Sequence, residues 1–170
     1  MAAELSTTHA DIYREVRALL LGLFSLSGEQ VIRGYSNNAP LPEDDFILMN
    51  IIHEQAQSTN SHFYDMENQV VDALQSLEVQ MQIDFYGENA GKMSRTFCQL
   101  WRDSYSCERL EKCQPLFCVE SKYLPFQNEK SEYEERYMTT VHLQYNPVIS
   151  YDQEFTSEST ISTQLIMEHD

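Results

Sequence analysis

The amino-acid sequence predicts a mixed α+β fold, because two segments have the apolar period of a strand and two have that of a helix. The strand segments, 77–86 and 137–145, alternate apolar and polar residues, as half-buried strands do. The helical segments, 12–23 and 90–101, repeat apolar residues every three or four positions, which is typical of amphipathic helices. A chain of 170 residues is long enough for one domain and a tail. We therefore expect a single α+β domain.

The first predicted element is an amphipathic helix near the N-terminus. Ser6 or Thr7 can cap it, because a hydroxyl oxygen accepts from the free amides of a first turn, and Ser27 and Gly28 end it. Its apolar stripe consists of Ile12, Val16, Leu19, Leu20 and Leu23. A stripe of this kind is typical of a core face, so we expect the helix to pack against a sheet.

Two strands and a turn-rich link are predicted next. Residues 30–35 are a short strand candidate, and the apolar run 46–52 is a second strand. The link 36–45 between them carries several Asn and Pro residues, which favour turns. The pattern of residues 58–75 is unclear, and we interpret it as a polar excursion that continues the preceding strand and returns.

The segment 77–86 has a clear strand pattern. Its apolar side chains occupy every second position, so one face should lie in the core and the other should be wet or form an interface. Gly87 then breaks the strand, and Asn89 can cap a helix that continues as far as about Arg102. The sequence therefore predicts a strand–turn–helix unit.

After Cys107 the chain is predicted to be irregular, with two prolines bracketing residues 116–124. The strand 137–145 follows. Asn146 and Pro147 end it, because proline has no amide hydrogen to donate to a neighbouring strand. These elements complete the predicted domain.

The last twenty residues are predicted to form an arm. Residues 151–170 are acidic and rich in Ser and Thr, a composition that cannot build a core. Alternating residues within the arm can still add a strand to a neighbouring sheet, and they are Ile161, Thr163, Leu165 and Met167. We therefore divide the chain into an α+β domain, residues 1–150, and an acidic C-terminal arm.

The charge and hydropathy of the chain exclude two classes of function. The 11 Lys and Arg residues against 27 Asp and Glu residues give 11 − 27 = −16. Such a surface repels the phosphates of nucleic acids, so we do not expect DNA or RNA binding as the main task. The longest apolar run, 18–24, is far shorter than the roughly 20 residues that span a bilayer. Together with a polar N-terminus, this predicts neither a membrane span nor a signal peptide.

The cysteines and histidines are predicted to bind no metal. The cysteines follow one another at intervals of nine, six and five residues, and none has the spacing of a zinc knuckle. We expect free, partly buried thiols in a reducing cytoplasm. The five histidines are scattered outside any H-x-x-x-H or H-E-x-x-H arrangement. The four cysteines are Cys98, Cys107, Cys113 and Cys118.

The sequence also predicts no enzyme and no cofactor. It has no G-x-S-x-G elbow, no phosphate-binding glycine loop and only 5 glycines. Cys107 or Cys118 could form a nucleophile–base pair with His142. A core cysteine beside an outward-facing strand histidine is the interpretation that the sequence favours.

Two local sequences stand out from this background. The first, 83–101, is IDFYGENAGKMSRTFCQLW, and the second, 124–148, is LPFQNEKSEYEERYMTTVHLQYNPV. In the second, Glu134 and Arg136 share one strand face and could pair with each other or with a neighbouring subunit's carboxylate. The alternative is a charged strand end that prevents unwanted edge pairing.

These segments resemble the neck or tail-terminator proteins of tailed bacteriophages. The resemblance covers roughly residues 10–150 in order. The matching motifs are I-D-x-Y-G-x-N-A at 83–90, P-L at 115–116, L-P-F-x-N at 124–128, Y-E-E-R-Y at 133–137 and L-Q-Y-N-P-V at 143–148.

The resemblance implies a small, mostly antiparallel domain packed by two helices, without catalysis. It implies a homohexameric ring that caps the head-proximal end of the tail and joins it to head-completion or connector proteins, with tail tube and sheath proteins as further partners. DNA would pass through the ring as cargo, without a membrane, in a virion assembled in the host cytoplasm. The residues that we expect at interfaces are Tyr133, Glu134, Glu135, Arg136, Tyr137, Ile161 and Leu165.

Three other interpretations stay open at this point. A tail-completion or sheath-adjacent protein would be joined to a different partner. A small acidic interaction module, such as a DNA-mimicking inhibitor, would carry its acidic residues as one continuous array. Here acidic residues are spread over strand ends, loops and the tail, with Lys and Arg between them. A cytoplasmic enzyme is the third.

Overall fold

A computed structural model describes residues 4–34, 42, 44–127 and 133–155. This part of the chain contains three helices and eleven strands. The helices are α1 (His9–Phe24), α2 (Ala90–Trp101) and α3 (Ser104–Cys107). The strands are β1 (Val31–Arg33), β2 (Phe46–Ala56), β3 (Ser61–Asp65), β4 (Val70–Leu74), β5 (Leu77–Tyr86), β6 (Gln114–Cys118), β7 (Lys122–Tyr123), β8 (Phe126–Gln127), β9 (Tyr133–Glu134), β10 (Arg136–Tyr145) and β11 (Val148–Asp152).

The main sheet has six strands in the order β1-β2-β5-β10-β6, with the short β7 also paired to β10. β1 runs parallel to β2, and the other neighbours are antiparallel. At its centre, β5 and β10 form a ladder of ten residue pairs, from Leu77 opposite Tyr145 to Tyr86 opposite Arg136. The predicted α+β fold with a mostly antiparallel sheet and two long helices is confirmed.

α1 and α2 pack on the same face of this sheet, which we call the helix face. Phe85 of β5 contacts Phe24 of α1 and Phe97 of α2, with ring centroids 6.2 and 5.8 Å apart. Trp101 is fully buried, and its Nε1 donates to the backbone oxygen of His142 at 3.2 Å. The core contains many of the side chains that the strand and helix periods predicted. They include Ile12, Val16, Leu19, Leu20, Val79, Met81, Ile83, Met93, Phe97, Trp101, Val141 and Leu143.

The ends of α1 differ from the predicted ones. Thr8 is the N-cap, and the carboxylate of Asp11 accepts hydrogen bonds from its amide at 2.9 Å and its hydroxyl at 2.8 Å. Ser6, one predicted cap, is bonded instead to Val148: its amide donates to the Val148 oxygen and its hydroxyl accepts from the Val148 amide. The helix ends at Phe24, before Ser25 in the left-handed region at φ 54°. The competition of several adjacent hydroxyls made the cap ambiguous from sequence.

β5 passes into α2 through a turn that requires glycine. Gly87 has φ 101°, a conformation that side chains rarely adopt, and a Cβ there would overlap Oδ1 of Asp45. The same carboxylate accepts from the amide of Asn89 at 3.1 Å and from its Nδ2 at 2.7 Å. Asn89 is the N-cap residue, although its side chain binds Asp45 and not the helix. The predicted strand–turn–helix unit is confirmed.

A second sheet of three strands, in the order β11-β4-β3, is attached to the main sheet. The segment 58–75, whose pattern was unclear, contains the β3–β4 hairpin, which follows the end of β2 at Ala56 and leads into β5. β11 pairs with β4 as far as Asp152, opposite Val70. The first two residues assigned to the arm, Tyr151 and Asp152, thus lie in a strand. Residues 156–170 lie outside the described residues, and the division of the chain at residue 150 stays a prediction.

The segment between Cys107 and β10, predicted to be irregular, contains four short strands, β6 to β9, within its described residues. β6 forms the edge of the main sheet beside β10, with Pro115 opposite Leu143. An edge strand tolerates proline because one of its sides needs no amide donor. β6 and β7 are also too short to show a period, so their place depends on pairing with β10.

Most of the predicted link 36–45 lies outside the described residues.

Candidate assembly interface

The predicted interface residues Tyr133, Glu134, Glu135, Arg136 and Tyr137 lie where β9 leads into β10. The side chain of Tyr133 is 80% exposed, and that of Glu135 is exposed as well. Glu134, Arg136 and Tyr137 are half-buried. Of these five, Tyr133 and Glu135 are therefore the most accessible to a partner. The predicted contacts through residues 161 and 165 lie outside the described residues.

Arg136 is bound to Asp84 within its own subunit. Its Nε and Nη2 both lie 2.9 Å from Oδ1 of Asp84. The side chain of Asp84 is 2% exposed and that of Arg136 is 27% exposed, and Gln82 donates to the second Asp84 oxygen at 2.6 Å. The sequence predicted that Arg136 pairs with Glu134 or with a carboxylate of a neighbouring subunit. The structure gives it a different partner because the register of β5 and β10 sets Arg136 opposite Tyr86 and beside Asp84.

A cluster of three aromatic rings centred on Tyr86 lies beside this ion pair on the outer face, which is the face of the main sheet opposite the helices. The ring of Tyr86 stacks on Phe46 at 4.4 Å and meets Phe126 edge-on at 5.4 Å. The guanidinium of Arg136 lies 5.7 Å from the Tyr86 ring. Tyr86 and Asp84 were expected on a wet or interface face, and both are buried. This expectation is corrected at both positions, because neighbouring strands supply rings and a cation that cover them.

Tyr137 is a packing residue on the helix face. Its ring lies 5.1 Å from that of Tyr123. It also approaches Gly91 of α2 so closely that an added Cβ would lie 3.0 Å from its Cζ. A residue larger than glycine at position 91 would push α2 or Tyr137 aside.

An exposed apolar group, which we call the β9 patch, lies beside these residues. It consists of Tyr123, Leu124 and Tyr133, all exposed. Tyr123 lies opposite Tyr137, and the amide of Leu124 donates to the Arg136 oxygen at 2.8 Å. The β9 patch is therefore at the end of the central ladder where Tyr86 and Arg136 pair. Clustered exposed apolar side chains are typical of interaction sites.

A second exposed group, the hairpin patch, consists of Phe63, Tyr64 and Met66. Phe63 and Tyr64 are neighbours in β3, so their rings point to opposite faces of the small sheet. Phe63 is 61% and Met66 is 73% exposed. All five residues of β3 are exposed, and β3 is an edge strand of the small sheet. Phe155 meets Tyr64 edge-on at 5.9 Å. Sequence analysis missed this patch. The available signal was an adjacent Phe-Tyr pair in a segment without a core period.

The two patches are attached to opposite ends of the main sheet. The hairpin joins the sheet where β5 begins, at Leu77, and the β9 patch lies where β5 ends, at Tyr86. Nine residue steps of about 3.3 Å separate these ends by roughly 30 Å. The chain thus carries two exposed apolar patches, made of different residues, at two distant positions.

Polar groups on the outer face are buried with partners. Nδ1 of His142 lies 2.5 Å from Oε1 of Glu78, and Nε2 of Gln57 donates to Oε2 of Glu78 at 2.6 Å. The hydrogen bond with His142 is the main reason why the pKa of Glu78 lies below its usual value, although burial opposes the shift. His142 was expected to face outward, and it does lie on the outer face, where it is buried under Phe117, whose ring stacks on it at 3.9 Å.

Glu54 joins the start of α1 to the end of β10. Its Oε2 lies 2.6 Å from Nε2 of His9 and accepts from the hydroxyl of Tyr145 at 2.6 Å. Burial raises the pKa of Glu54, but these hydrogen bonds outweigh it and hold the pKa below its usual value. The same contact and burial raise the pKa of Tyr145. This arrangement fastens the helix to the sheet.

The arrangement of Cys118 and His142 does not provide a nucleophile and its base. Cys118 lies opposite Val141, whose side chain is in the core, and His142 lies opposite Phe117. Adjacent strand residues point to opposite faces, so the thiol and the imidazole are separated by the sheet. Within the described residues, no three His, Cys, Asp or Glu side chains are grouped as metal ligands would be. In the same part of the chain, no helix has the length and hydropathy needed to span a membrane.

Comparison with known families gives a match over almost the entire chain. Residues 10–167 match the family described as phage neck terminator protein. The chain belongs to this family. The resemblance to neck or tail-terminator proteins is thereby confirmed. A search of curated proteins found no match.

Membership of the phage neck terminator family makes the chain a structural protein of the phage neck and a component of the virion. It implies association with other head or tail proteins. The matched range includes β9, β10 and both exposed patches, so the surfaces described above belong to the family region of the chain.

Proposed function

We propose that this neck terminator assembles into a closed homohexameric ring through contact of the β9 patch of one subunit with the hairpin patch of the next. The supporting observation is the pair of different apolar patches at opposite ends of the main sheet. Two unlike surfaces on one chain favour head-to-tail contacts, which close into a ring when the rotation between subunits permits.

Within this proposal, the residues of the predicted interface have different tasks. Tyr133 and Glu135 would touch the neighbouring subunit, because their side chains are exposed. Arg136 and Tyr137 would hold the adjoining β9 in position. Arg136 would do so through its ion pair with Asp84, and Tyr137 through its packing against α2. Ile161 and Leu165 are proposed as further contacts on the basis of their alternating sequence pattern.

The charge of the chain suits a ring around DNA. Six copies would carry 6 × (−16) = −96 before counterions. A negatively charged wall repels phosphates, so DNA would pass without adhering to the ring. The same charge opposes assembly, so uncharged contacts such as those of the two patches would have to supply the attraction.

The ring would cap the head-proximal end of the tail and join it to the head-completion or connector proteins. Tail tube and sheath proteins would meet the opposite side. These partners follow from the family and from the resemblance of the motifs at 83–90 and 124–148. The ring would form in the host cytoplasm before it enters the virion.

The head-to-tail contact can be tested with one variant in each patch. Tyr133→Asp and Phe63→Asp each place a charge in one patch, and Gln99→Asp adds the same charge on the exposed side of α2 as a control. Native mass spectrometry of the full chain should show hexamers for the wild type and for Gln99→Asp. Each patch variant alone should be monomeric.

An equimolar mixture of the two patch variants provides the decisive measurement. Each variant retains one intact patch, so the mixture should form heterodimers that cannot grow further. Self-association of either variant alone would indicate that a patch binds its own copy, which contradicts the head-to-tail ring. A wild type that stays monomeric would contradict self-assembly.

A further inference from the structure

Two cysteines meet at the surface of the helix face, far apart in sequence. Cys98 lies on α2 and Cys118 ends β6, and their sulfur atoms are 2.9 Å apart. Both sulfurs also contact Oγ1 of Thr139 on β10, at 3.4 Å from Cys98 and 3.1 Å from Cys118. A disulfide requires about 2.05 Å between the sulfurs, so the two atoms need to approach by less than the length of one bond.

The thiols are accessible from a cleft with positive groups. Arg95, Arg102, Glu120 and Ser121 line it together with the two cysteines. These four residues are exposed, and the cysteines are half-buried. A small reagent can therefore reach the sulfurs from solvent, and guanidinium groups favour a thiolate at such a position.

The two thiols are chemically unequal. The pKa of Cys98 falls to about 6, chiefly because Cys118 donates a hydrogen bond to its sulfur, although burial opposes the shift. Hydrogen bonds with Thr139 and Ser94 and the charge of Arg95 add to this effect. The pKa of Cys118 is raised, mainly because its proton is held between the two sulfurs. At neutral pH, Cys98 is thus the nucleophile of the pair and Cys118 is its proton donor.

We propose that Cys98 and Cys118 are a modification site that forms a reversible intrachain disulfide by exchange with a low-molecular-weight disulfide. A component of the virion leaves the reducing interior of the host when the particle is released, and disulfides persist outside. The bond would link α2 to β6, the edge strand of the main sheet. This site does not depend on how the subunits assemble.

The exchange proceeds in two steps. The Cys98 thiolate attacks one sulfur of the reagent, forming a mixed disulfide and releasing one thiolate. Neutralisation of Cys98 removes the negative charge that held the Cys118 proton, so Cys118 can lose this proton to the released thiolate. Its sulfur then attacks Cys98 and expels the second thiolate. Two electrons pass from the cysteine pair to the reagent, which leaves as one thiol and one thiolate.

Oxidised glutathione is a suitable reagent for the test. The reduced full chain is incubated with it, and mass spectrometry with peptide mapping follows the products. The expected product has lost two hydrogen atoms and contains a peptide pair linked through Cys98 and Cys118. Cys107, which is free and exposed, serves as an internal control for formation of the mixed disulfide with glutathione.

The rate of reaction with oxidised glutathione distinguishes a thiol pair that contains a thiolate from two ordinary thiols. At pH 6 a thiol with a pKa near 8.5 is about 0.3% ionised, whereas Cys98 is about half ionised. A weakly basic thiolate is also a weaker nucleophile, and this reduces the advantage of Cys98 in rate by a factor of roughly ten. Cys98 should therefore react about tenfold faster at pH 6 than the cysteine of a short unstructured peptide added to the same reaction.

The variant Cys118→Ser separates the role of Cys98 as the nucleophile from that of Cys118 as the thiol that resolves the mixed disulfide. Cys118→Ser should accumulate the mixed disulfide on Cys98, which the wild type should resolve, whereas Cys113→Ser should behave like the wild type. Glutathione retained on Cys98 of the wild type, a linkage through other cysteines, or a Cys98 rate equal to that of the unstructured peptide would each overturn the proposal. The wild-type peptide map decides this even where a variant folds poorly.

Discussion

The two faces of the central sheet reach the same burial by different means. On the helix face, Phe97 is 1% exposed and lies among other apolar side chains. On the outer face, Asp84 is 2% exposed and is bound by Arg136 and Gln82. An apolar side chain is stable in any dry environment, whereas a buried carboxylate needs a partner at hydrogen-bonding distance. The stability of the outer face therefore depends on strand register far more than the stability of the helix face does.

The largest effect is expected on the helix face. Phe97→Ala should lower the free energy of unfolding by about 3–5 kcal/mol, because it leaves a cavity between Phe85 and Trp101. Chemical denaturation of the monomer measures this, and Gln99→Ala on the exposed side of α2 is the control. A loss below about 1 kcal/mol would indicate that the stripe is not a core face.

The next largest effect is expected for the ion pair of the outer face. Arg136→Ala should destabilise the monomer by about 2 kcal/mol, because it leaves the Asp84 carboxylate buried without its cation. Asp84→Asn combined with Arg136→Met should recover part of this loss. If Arg136→Ala unfolds like the wild type while assembly fails, the arginine acts between subunits, as the sequence first indicated.

A smaller, pH-dependent effect is expected for Glu78. Its folded-state pKa lies below the value of 4.5 for a free glutamate, so its contribution to stability is present above pH 4.5 and is lost as the pH falls through the folded-state value. Glu78→Gln should therefore lose less stability than the wild type between pH 5 and pH 3. Denaturation curves at several pH values measure the difference, with the exposed Glu108→Gln as control. Equal slopes for Glu78→Gln and the wild type would contradict this role.

The smallest effect is expected for the exposed patches. Tyr133→Ala and Phe63→Ala should each change the free energy of unfolding by less than about 0.5 kcal/mol, because both side chains are already in water. Thermal melts of monomeric protein test this. A loss of several degrees for either variant would mean that the residue supports its own subunit, and the proposed subunit contact would need another surface.

Sequence periodicity predicted the helix face well. β5 and β10 have the predicted alternation, and α1 and α2 have the predicted stripes, because each element is long enough to repeat its pattern several times. The strands β6 and β7 and the helix α3 are too short for such a pattern. They form through pairing with β10 and contact with α2, which residues distant in sequence supply.

The contact of the segment 133–137 with another chain stays a prediction. The segment around Tyr133 and Arg136 was identified from its motif, and Tyr133 is indeed exposed. Within the chain, Arg136 binds Asp84 and not Glu134. Asp84 lies 52 positions away and is brought near only by the ladder. A contact of Arg136 with a neighbouring subunit stays a prediction. The hairpin patch was missed because exposed aromatic side chains have no periodic signature.

The sequence by itself determined the α+β class, the main helices and long strands, the acidic charge and the family resemblance. These properties depend on local pattern and composition, which a linear chain already contains. Tertiary structure decided which polar residues are buried, that Arg136 binds Asp84, and that Cys98 meets Cys118. Those contacts join residues from different elements, and the physical reason is register: a shift of one residue would turn each side chain to the other face of the sheet.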